Sequence, residues 1–243
     1  MSSLKILGVR IDKVDFEEAV SKILSFLETD GAKSVFTPNS EIIYRAKDDE
    51  EFKNVLNASD LNTADGIGVV YASKILKSPV ACRVAGYDLA CLLLPIMNER
   101  KLKLFLFGGK EGVGLKAKEE ILKKYPDIDI CGVENGYFTD DSEIINHINE
   151  KEPHFVFVCL GAPKQEMWIH KNKDKLKAKV LMGIGGSLDV FAGTAKRAPD
   201  IFIKLNIEWL FRLIKNPSRI GRMMALPKFG IEVIKSKRGN KNA

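Results

Sequence analysis

Short apolar runs alternate along this chain with stretches whose apolar residues recur at helical spacing. Residues 33–37 (KSVFT) predict a strand. A helix through 41–47 follows, then another through 48–57, with Asp48 and Glu51 as a capping pair and Phe52, Val55 and Leu56 on the apolar face. Residues 59–63 read as a short strand ending at Ala64-Asp65-Gly66, and residues 86–98 as a helix with Leu89, Leu92, Leu93 and Ile96 turned inward. The second half repeats the alternation. Strands over 102–107, 128–133, 155–160 and 180–184 are interleaved with helices over 112–125, 142–151 and 165–177. Three of these strands run into glycine turns: Gly108-Gly109, Gly161-Ala162-Pro163 and Gly185-Gly186-Ser187. Strand, helix, strand at this spacing predicts an α/β protein with a Rossmann-like parallel sheet covered by helices. Ligands of such sheets sit at the carboxyl ends of the strands.

The last fifth of the chain differs. Residues 200–215 predict one helix with Ile201, Leu205, Trp209 and Leu213 on a wide apolar face. Pro217 ends it, residues 218–226 form a second short helix, and a mobile basic end follows from about Lys235. The charge divides at the same place. Residues 196–243 hold twelve Lys or Arg against three Asp or Glu, whereas residues 1–195 hold 26 against 29. The pattern predicts a near-neutral α/β body over 1–195 and a C-terminal basic, amphipathic helical appendage over 196–243. Partners suited to such an appendage are nucleic acid, an anionic membrane surface or a phosphorylated ligand. Nucleic acid fits least, because the basic residues are not interleaved with aromatic ones and the helix carries its wide apolar face.

Hydrophobic residues make up 45% and charged residues 29% of the 243, enough apolar surface to exclude disorder and to fold without disulfides. Asp12 and Asp15 precede any apolar stretch long enough for a leader, and no window reaches the roughly 18 apolar residues of a membrane span. The expectation is a cytoplasmic protein that does not cross a membrane. Cys82, Cys91, Cys131 and Cys159 form no C-x-x-C pair and read as buried thiols in a reducing compartment.

Candidate chemistry gathers at the strand ends. Thr37-Pro38-Asn39-Ser40-Glu41, Ala64-Asp65-Gly66-Ile67-Gly68, the Gly108-Gly109 turn, Gly161-Ala162-Pro163-Lys164-Gln165-Glu166 and Gly185-Gly186-Ser187-Leu188-Asp189 would all lie on one edge. Glycine lets the backbone approach a ligand, and a following helix offers free N–H groups to phosphate. The Gly109 turn is neither a G-x-G-x-x-G fingerprint nor a Walker A loop, which disfavours an NAD-dependent oxidoreductase. His147, His154 and His170 lack ligand spacing, and Asp127-Ile128-Asp129 reads as the solvated start of a strand, so neither a metal nor another cofactor is expected. Asp65 follows a weakly polar strand and precedes an apolar helix. It is either a partly desolvated general base or the N-cap of a helix over 66–73.

Taken together, these strand-end motifs resemble those of the WecG/TagA/CpsF glycosyltransferases. Gly193, Arg197-Ala198-Pro199, Glu208-Trp209-Leu210-Phe211-Arg212 and Pro217-Ser218-Arg219 extend the likeness over nearly the whole chain. The resemblance implies an inverting transfer of N-acetylmannosamine from its UDP ester to undecaprenyl-diphosphate-linked N-acetylglucosamine, as in wall teichoic acid linkage-unit synthesis. It implies an enzyme working at the inner face of a bacterial membrane without an essential metal. Other UDP sugars used for a surface polysaccharide stay open, as does a homo-oligomer. On this resemblance Asp65 is the base, and Thr37 and Asn39 hold a sugar. Charge on the leaving UDP would be met by N–H groups of the Gly108-Gly109 and Gly185-Gly186 turns, by Arg83, or by Arg212, Arg219 and Arg222 of the appendage. Gln165 and Glu166 would contact uridine, with Asp189 as a further polar contact. The partners are then a UDP-sugar donor, a lipid-diphosphate acceptor and an anionic membrane surface, with no nucleic acid.

Overall fold

The computed structural model describes residues 1–217 and 220–239, without the side chains of 200, 212, 222 and 238. The chain opens on a hairpin of β1 (Ser3–Ile6) and β2 (Val9–Asp12), paired antiparallel. Helix α1 (Phe16–Ser25) follows behind a capping box, in which Asp15 Oδ1 accepts from Glu18 N (2.9 Å) and Glu18 Oε2 from Asp15 N (3.0 Å). The main body then runs β3 (Lys33–Phe36), α2 (Ser40–Lys47), α3 (Glu50–Asn57), β4 (Leu61–Asn62), α4 (Ile67–Ile75) and α5 (Gly86–Glu99). It continues with β5 (Lys103–Gly108), α6 (Val113–Lys124), β6 (Asp129–Glu134), α7 (Asp141–Lys151), β7 (Phe155–Cys159), α8 (Lys164–Asn172), β8 (Val180–Gly183) and α9 (Ser187–Phe191). The C-terminal part holds α10 (Asp200–Lys204), α11 (Glu208–Lys215), α12 (Ile220–Met223) and α13 (Ala225–Gly239).

Among the described residues β3 to β8 form one parallel sheet in the order β4-β3-β8-β7-β5-β6. Alternation along the strands divides the core in two, as a sheet covered on both faces requires. Phe36, Phe105, Phe107, Val156, Val158 and Leu181 pack under α2, α3, α4, α7, α8 and α13. Val35, Leu104, Leu106, Phe155, Phe157 and Met182 pack under α1, α5, α6 and α9. The β5–α6–β6 crossover therefore travels over one face toward one edge, and β7–α8–β8 over the other face toward the opposite edge. The strand order reverses between β5 and β7. There the backbones touch: a Cβ on Gly108, whose φ is +123°, would land on the Cys159 carbonyl.

Several local expectations change. The cap of α3 is Asp49, whose Oδ1 accepts from Phe52 N at 3.0 Å, so the helix starts at Glu50 and the pair is not Asp48 with Glu51. The single helix expected over 200–215 is two, because Asn206 takes a left-handed turn (φ +59°) between α10 and α11. Beyond Lys235 the chain stays helical as far as Gly239, since α13 runs through it. Phe229 and Val233 of this helix are buried against α2 and α4, and Lys47 Nζ meets Glu232 Oε2 at 3.5 Å. Of the four free cysteines only Cys159 is buried; Cys82, Cys91 and Cys131 are half-buried. Among the described residues, no helix is long and apolar enough to cross a membrane.

Candidate active site

The carboxyl ends of β3 and β4 bring the first group of residues together. After β3 the chain turns at Thr37, and Asn39 caps α2 by accepting from Ile42 N at 3.0 Å. After β4, Asp65 N donates to Pro38 O (3.3 Å), tying the two turns side by side. Asp65 is not the N-cap of the next helix. That position falls to Gly66 (φ +85°), with no side-chain cap, so the carboxylate is directed elsewhere. The loop before α5 is stitched to the same place: Val84 N donates to Ala64 O and Thr63 Oγ1 to Val84 O, both at 2.8 Å. Thr37 lies against the start of α5, where a Cβ on Gly86 would come within 2.9 Å of its Oγ1.

These bonds put Arg83 beside Asp65. Its Nε stands 3.6 Å from Asp65 Oδ1, and its Nη2 reaches Asp88 Oδ2 at 3.2 Å and Glu208 Oε2 at 3.1 Å. One guanidinium is thus shared by three carboxylates from the β4 turn, α5 and α11. Asp88 also pairs with Arg197, which lies 4.8 Å above the Tyr87 ring, and Tyr87 stacks on Phe191 at 4.9 Å. The Asp65 side chain keeps 28% of its surface in solvent while Arg83 keeps 16%. A reachable carboxylate fixed by a nearly buried cation can take a proton from a hydroxyl placed against it. The sequence gives a role to Arg83 but none to Asp88, Arg197 or Glu208. Arg197 and Glu208 lie in motifs of the resemblance, whereas nothing in the pattern around Asp88 sets it apart from a helix-surface acid.

The glycine turns occupy the rest of the edge. Gly109 N donates to Cys159 O at 3.2 Å, and a Cβ on Gly109 would meet Leu188 of α9 at 3.9 Å. Gly186 is exposed, Gly185 (φ +56°) and Asp189 are half-buried, and the Asp189 carbonyl accepts from Ala195 N at 2.9 Å. Gln165 and Glu166 lie under these turns. Gln165 Oε1 accepts from Gly185 N (2.9 Å) and its Nε2 donates to Glu166 Oε1 (2.8 Å), with exposures of only 4% and 1%. The pair holds the Gly185 turn in place. Arg219, and the side chains of Arg212 and Arg222, lie outside the described residues. Asp127 and Asp129 enter β6 at the opposite, amino edge of the sheet. Among the described residues no cluster of three or more His, Cys, Asp or Glu is arranged to hold a metal ion.

Burial pushes the Glu166 carboxyl up from its ordinary value, and its Oε2 has no hydrogen-bond partner among the described residues. A raised folded-state value means that the folded protein keeps this proton where the unfolded chain releases it. Stability then falls as pH rises from the unfolded value toward the folded one and is level above it; a tenfold difference in proton affinity is worth about 1.4 kcal/mol. Glu166→Gln should flatten that fall, so the variant gains on the wild type as pH rises from the ordinary carboxyl value, about 4.3, toward the raised one. Urea unfolding at a series of pH values measures it, and parallel curves for the two proteins would contradict it.

Residues 4–243 match the sequence profile of the Glycosyl transferase WecG/TagA/CpsF family. An N-acetylglucosaminyldiphosphoundecaprenol N-acetyl-beta-D-mannosaminyltransferase of Bacillus spizizenii is 38% identical over 236 residues, covering 95% of this chain and 92% of its own. The protein of the same name from Bacillus subtilis is 40% identical over 207 residues, 85% of this chain and 81% of its own. One from Staphylococcus aureus is 38% identical over 245 residues, 100% of this chain and 96% of its own. With a profile match over almost its full length and relatives aligned nearly end to end, the chain belongs to the WecG/TagA/CpsF family of glycosyltransferases.

Proposed function

We propose that this chain transfers N-acetylmannosamine from UDP-N-acetylmannosamine to the 4-hydroxyl of undecaprenyl-diphosphate-linked N-acetylglucosamine, the step that builds a wall teichoic acid linkage unit. The observation that carries the reading is the Asp65–Arg83 pair at the carboxyl edge, in a chain whose relatives bear the name of that transferase. Asp65 removes the acceptor hydroxyl proton as that oxygen attacks the anomeric carbon. The new O–C bond forms while the bond from that carbon to the β-phosphate oxygen breaks on the far side, inverting the centre. UDP leaves with the electron pair. Charge developing on it is met by Arg83 and by the Gly186 N–H, since the Gly109 and Gly185 N–H groups are already given to Cys159 O and Gln165 Oε1. Thr37 and Asn39, on the turn tied to that of Asp65, hold a sugar, and Asp189 borders the same edge.

The body over 1–195 supplies this chemistry, and the segment over 196–243 brings it to the bilayer. Ile201, Leu205, Ile214, Ile220, Met224, Ile231 and Ile234 are exposed on that segment, which also carries the chain's basic excess. Apolar side chains among cations suit the headgroup layer of an anionic bilayer, and each basic residue near it adds about 1 kcal/mol of attraction. One assay tests the reading: the purified chain is given a panel of UDP sugars and the lipid acceptor in anionic vesicles. The expected result is a β-1,4-linked product from UDP-N-acetylmannosamine alone, full turnover in excess EDTA, and co-sedimentation of protein with the vesicles. Turnover only with another UDP sugar would reassign the donor, and activity lost to EDTA and restored by Mg²⁺ or Mn²⁺ would refute metal independence.

A further inference from the structure

A cavity of about 290 Å³ lies beside the candidate active site, between α4 and the C-terminal helices. One wall is Ile67, Tyr71, Ala72 and Ile75 of α4. The facing wall is Trp209 of α11 with Leu226, Phe229, Gly230 and Val233 of α13. Ser40 and Gly68 close the end nearest the reaction centre, and a Cβ on Gly68 would collide with Ser40 Oγ. Ser40 directly follows Asn39, and Gly68 is three residues beyond Asp65. From Ile67 to Ile75 the cavity follows α4 for about 12 Å, at 1.5 Å per residue. Apart from the Ser40 and Tyr71 hydroxyls, its lining side chains are hydrocarbon or indole.

We infer that this cavity binds the first isoprene units of the lipid-diphosphate acceptor, those next to the diphosphate; the inference rests on the function proposed above. An acceptor whose sugar hydroxyl reaches Asp65 carries its hydrocarbon on the other side of the diphosphate, and this apolar cavity begins at the same turns. A dry cavity of roughly 150 Å³ accommodates a six-carbon ring, so this one takes roughly two five-carbon units. Branched, unsaturated units suit a short, wide slot between two helices better than a straight alkyl chain does. The rest of the polyprenyl chain stays in the bilayer, and the enzyme reads only the proximal end. Gly230 leaves room for it: a Cβ there would meet nothing within 4 Å.

The test is to fill the cavity from that position. Gly230→Ala, Gly230→Leu and Gly230→Phe add bulk within a helix, where all three residues are better formers than glycine, so the variants should fold. Geranyl diphosphate, a two-isoprene probe, should change the emission of Trp209 in the wild type, with no change in Trp209→Phe and none from inorganic diphosphate. Its apparent Kd should rise with side-chain size, by at least tenfold in Gly230→Leu. In turnover, KM for a geranyl-diphosphate-linked N-acetylglucosamine should rise by a similar factor, while KM for the methyl-diphosphate analogue and for the UDP sugar stays unchanged. An unaltered Kd in Gly230→Leu and Gly230→Phe overturns the proposal. Equal binding of n-decyl diphosphate overturns it in favour of an ordinary lipid tail, and a change of sedimentation coefficient in the variants overturns it in favour of a second copy of the chain. If the wild type turns over no such acceptor yet binds geranyl diphosphate in a Gly230-dependent way, the function fails and the isoprenoid site stands.

Discussion

Asp65→Asn should lower turnover by about 10²–10⁴ while leaving UDP affinity within a few-fold of the wild type. The substitution keeps the shape of the side chain and removes its ability to take a proton. Arg83 would not be set loose by the change, because Asp88 and Glu208 hold its Nη2 at 3.2 and 3.1 Å. The turn that carries residue 65 is fixed by backbone bonds, from Asp65 N to Pro38 O and from Val84 N to Ala64 O. A fall in kcat with unchanged UDP binding therefore reports proton transfer and not a collapsed site. Steady-state kinetics with a UDP titration measure both quantities, and turnover within tenfold of the wild type would remove Asp65 from the role of base.

Phe229→Ala should cost about 3–5 kcal/mol of unfolding free energy, the range for deleting a buried aromatic side chain. Phe229 is 3% exposed and packs in the core that α13 shares with α2 and α4. The ring is far from the strand ends in sequence, yet it anchors the helix that faces them. Urea unfolding gives the number; a loss below about 1 kcal/mol would mean that α13 is not docked in solution. The same packing changes how a deletion from Lys196 onward should be read. Such a truncation uncovers the faces of α2 and α4 along with removing the basic residues, so loss of activity in it mixes an unfolding effect with a membrane effect.

The parallel sheet was legible because its strands are uninterrupted apolar runs that stop at glycine, such as residues 103–108 and 180–183. A strand buried on both faces leaves that signature. The opening hairpin was not read, since SLKI and VRID are too short and too mixed in polarity to stand out. The break between α10 and α11 hides in a sequence that stays amphipathic across it. The one local hint was Asn206, among the few residues that tolerate a left-handed turn. For the site, single-residue chemistry could be read but pairing could not. Asp65 stood out by its place at a strand end, whereas its contact with Arg83 depends on a loop that leaves after α4 and returns to β4. Gln165 and Glu166 stand out by their strand-end motif and the resemblance, neither of which carries the burial that the Gly185 turn imposes on them.

The strand order bears on how the chain is made. β3 lies beside β8, so that Lys33 stands opposite Val180, and the two meet only after β5, β6 and β7 have been synthesised. Before β8 is in place, the β3 edge of the β4-β3 pair and the β7 edge of the β7-β5-β6 group both lack a neighbour. β8 is the strand that joins them, through parallel bonds to β7 on one side and β3 on the other. Non-local parallel pairing is intrinsically slow, and an unfilled edge invites pairing with other chains. Until β8 has been made the strands before it belong to two incomplete groups, and the strand that unites them also carries the Gly185 turn at its end.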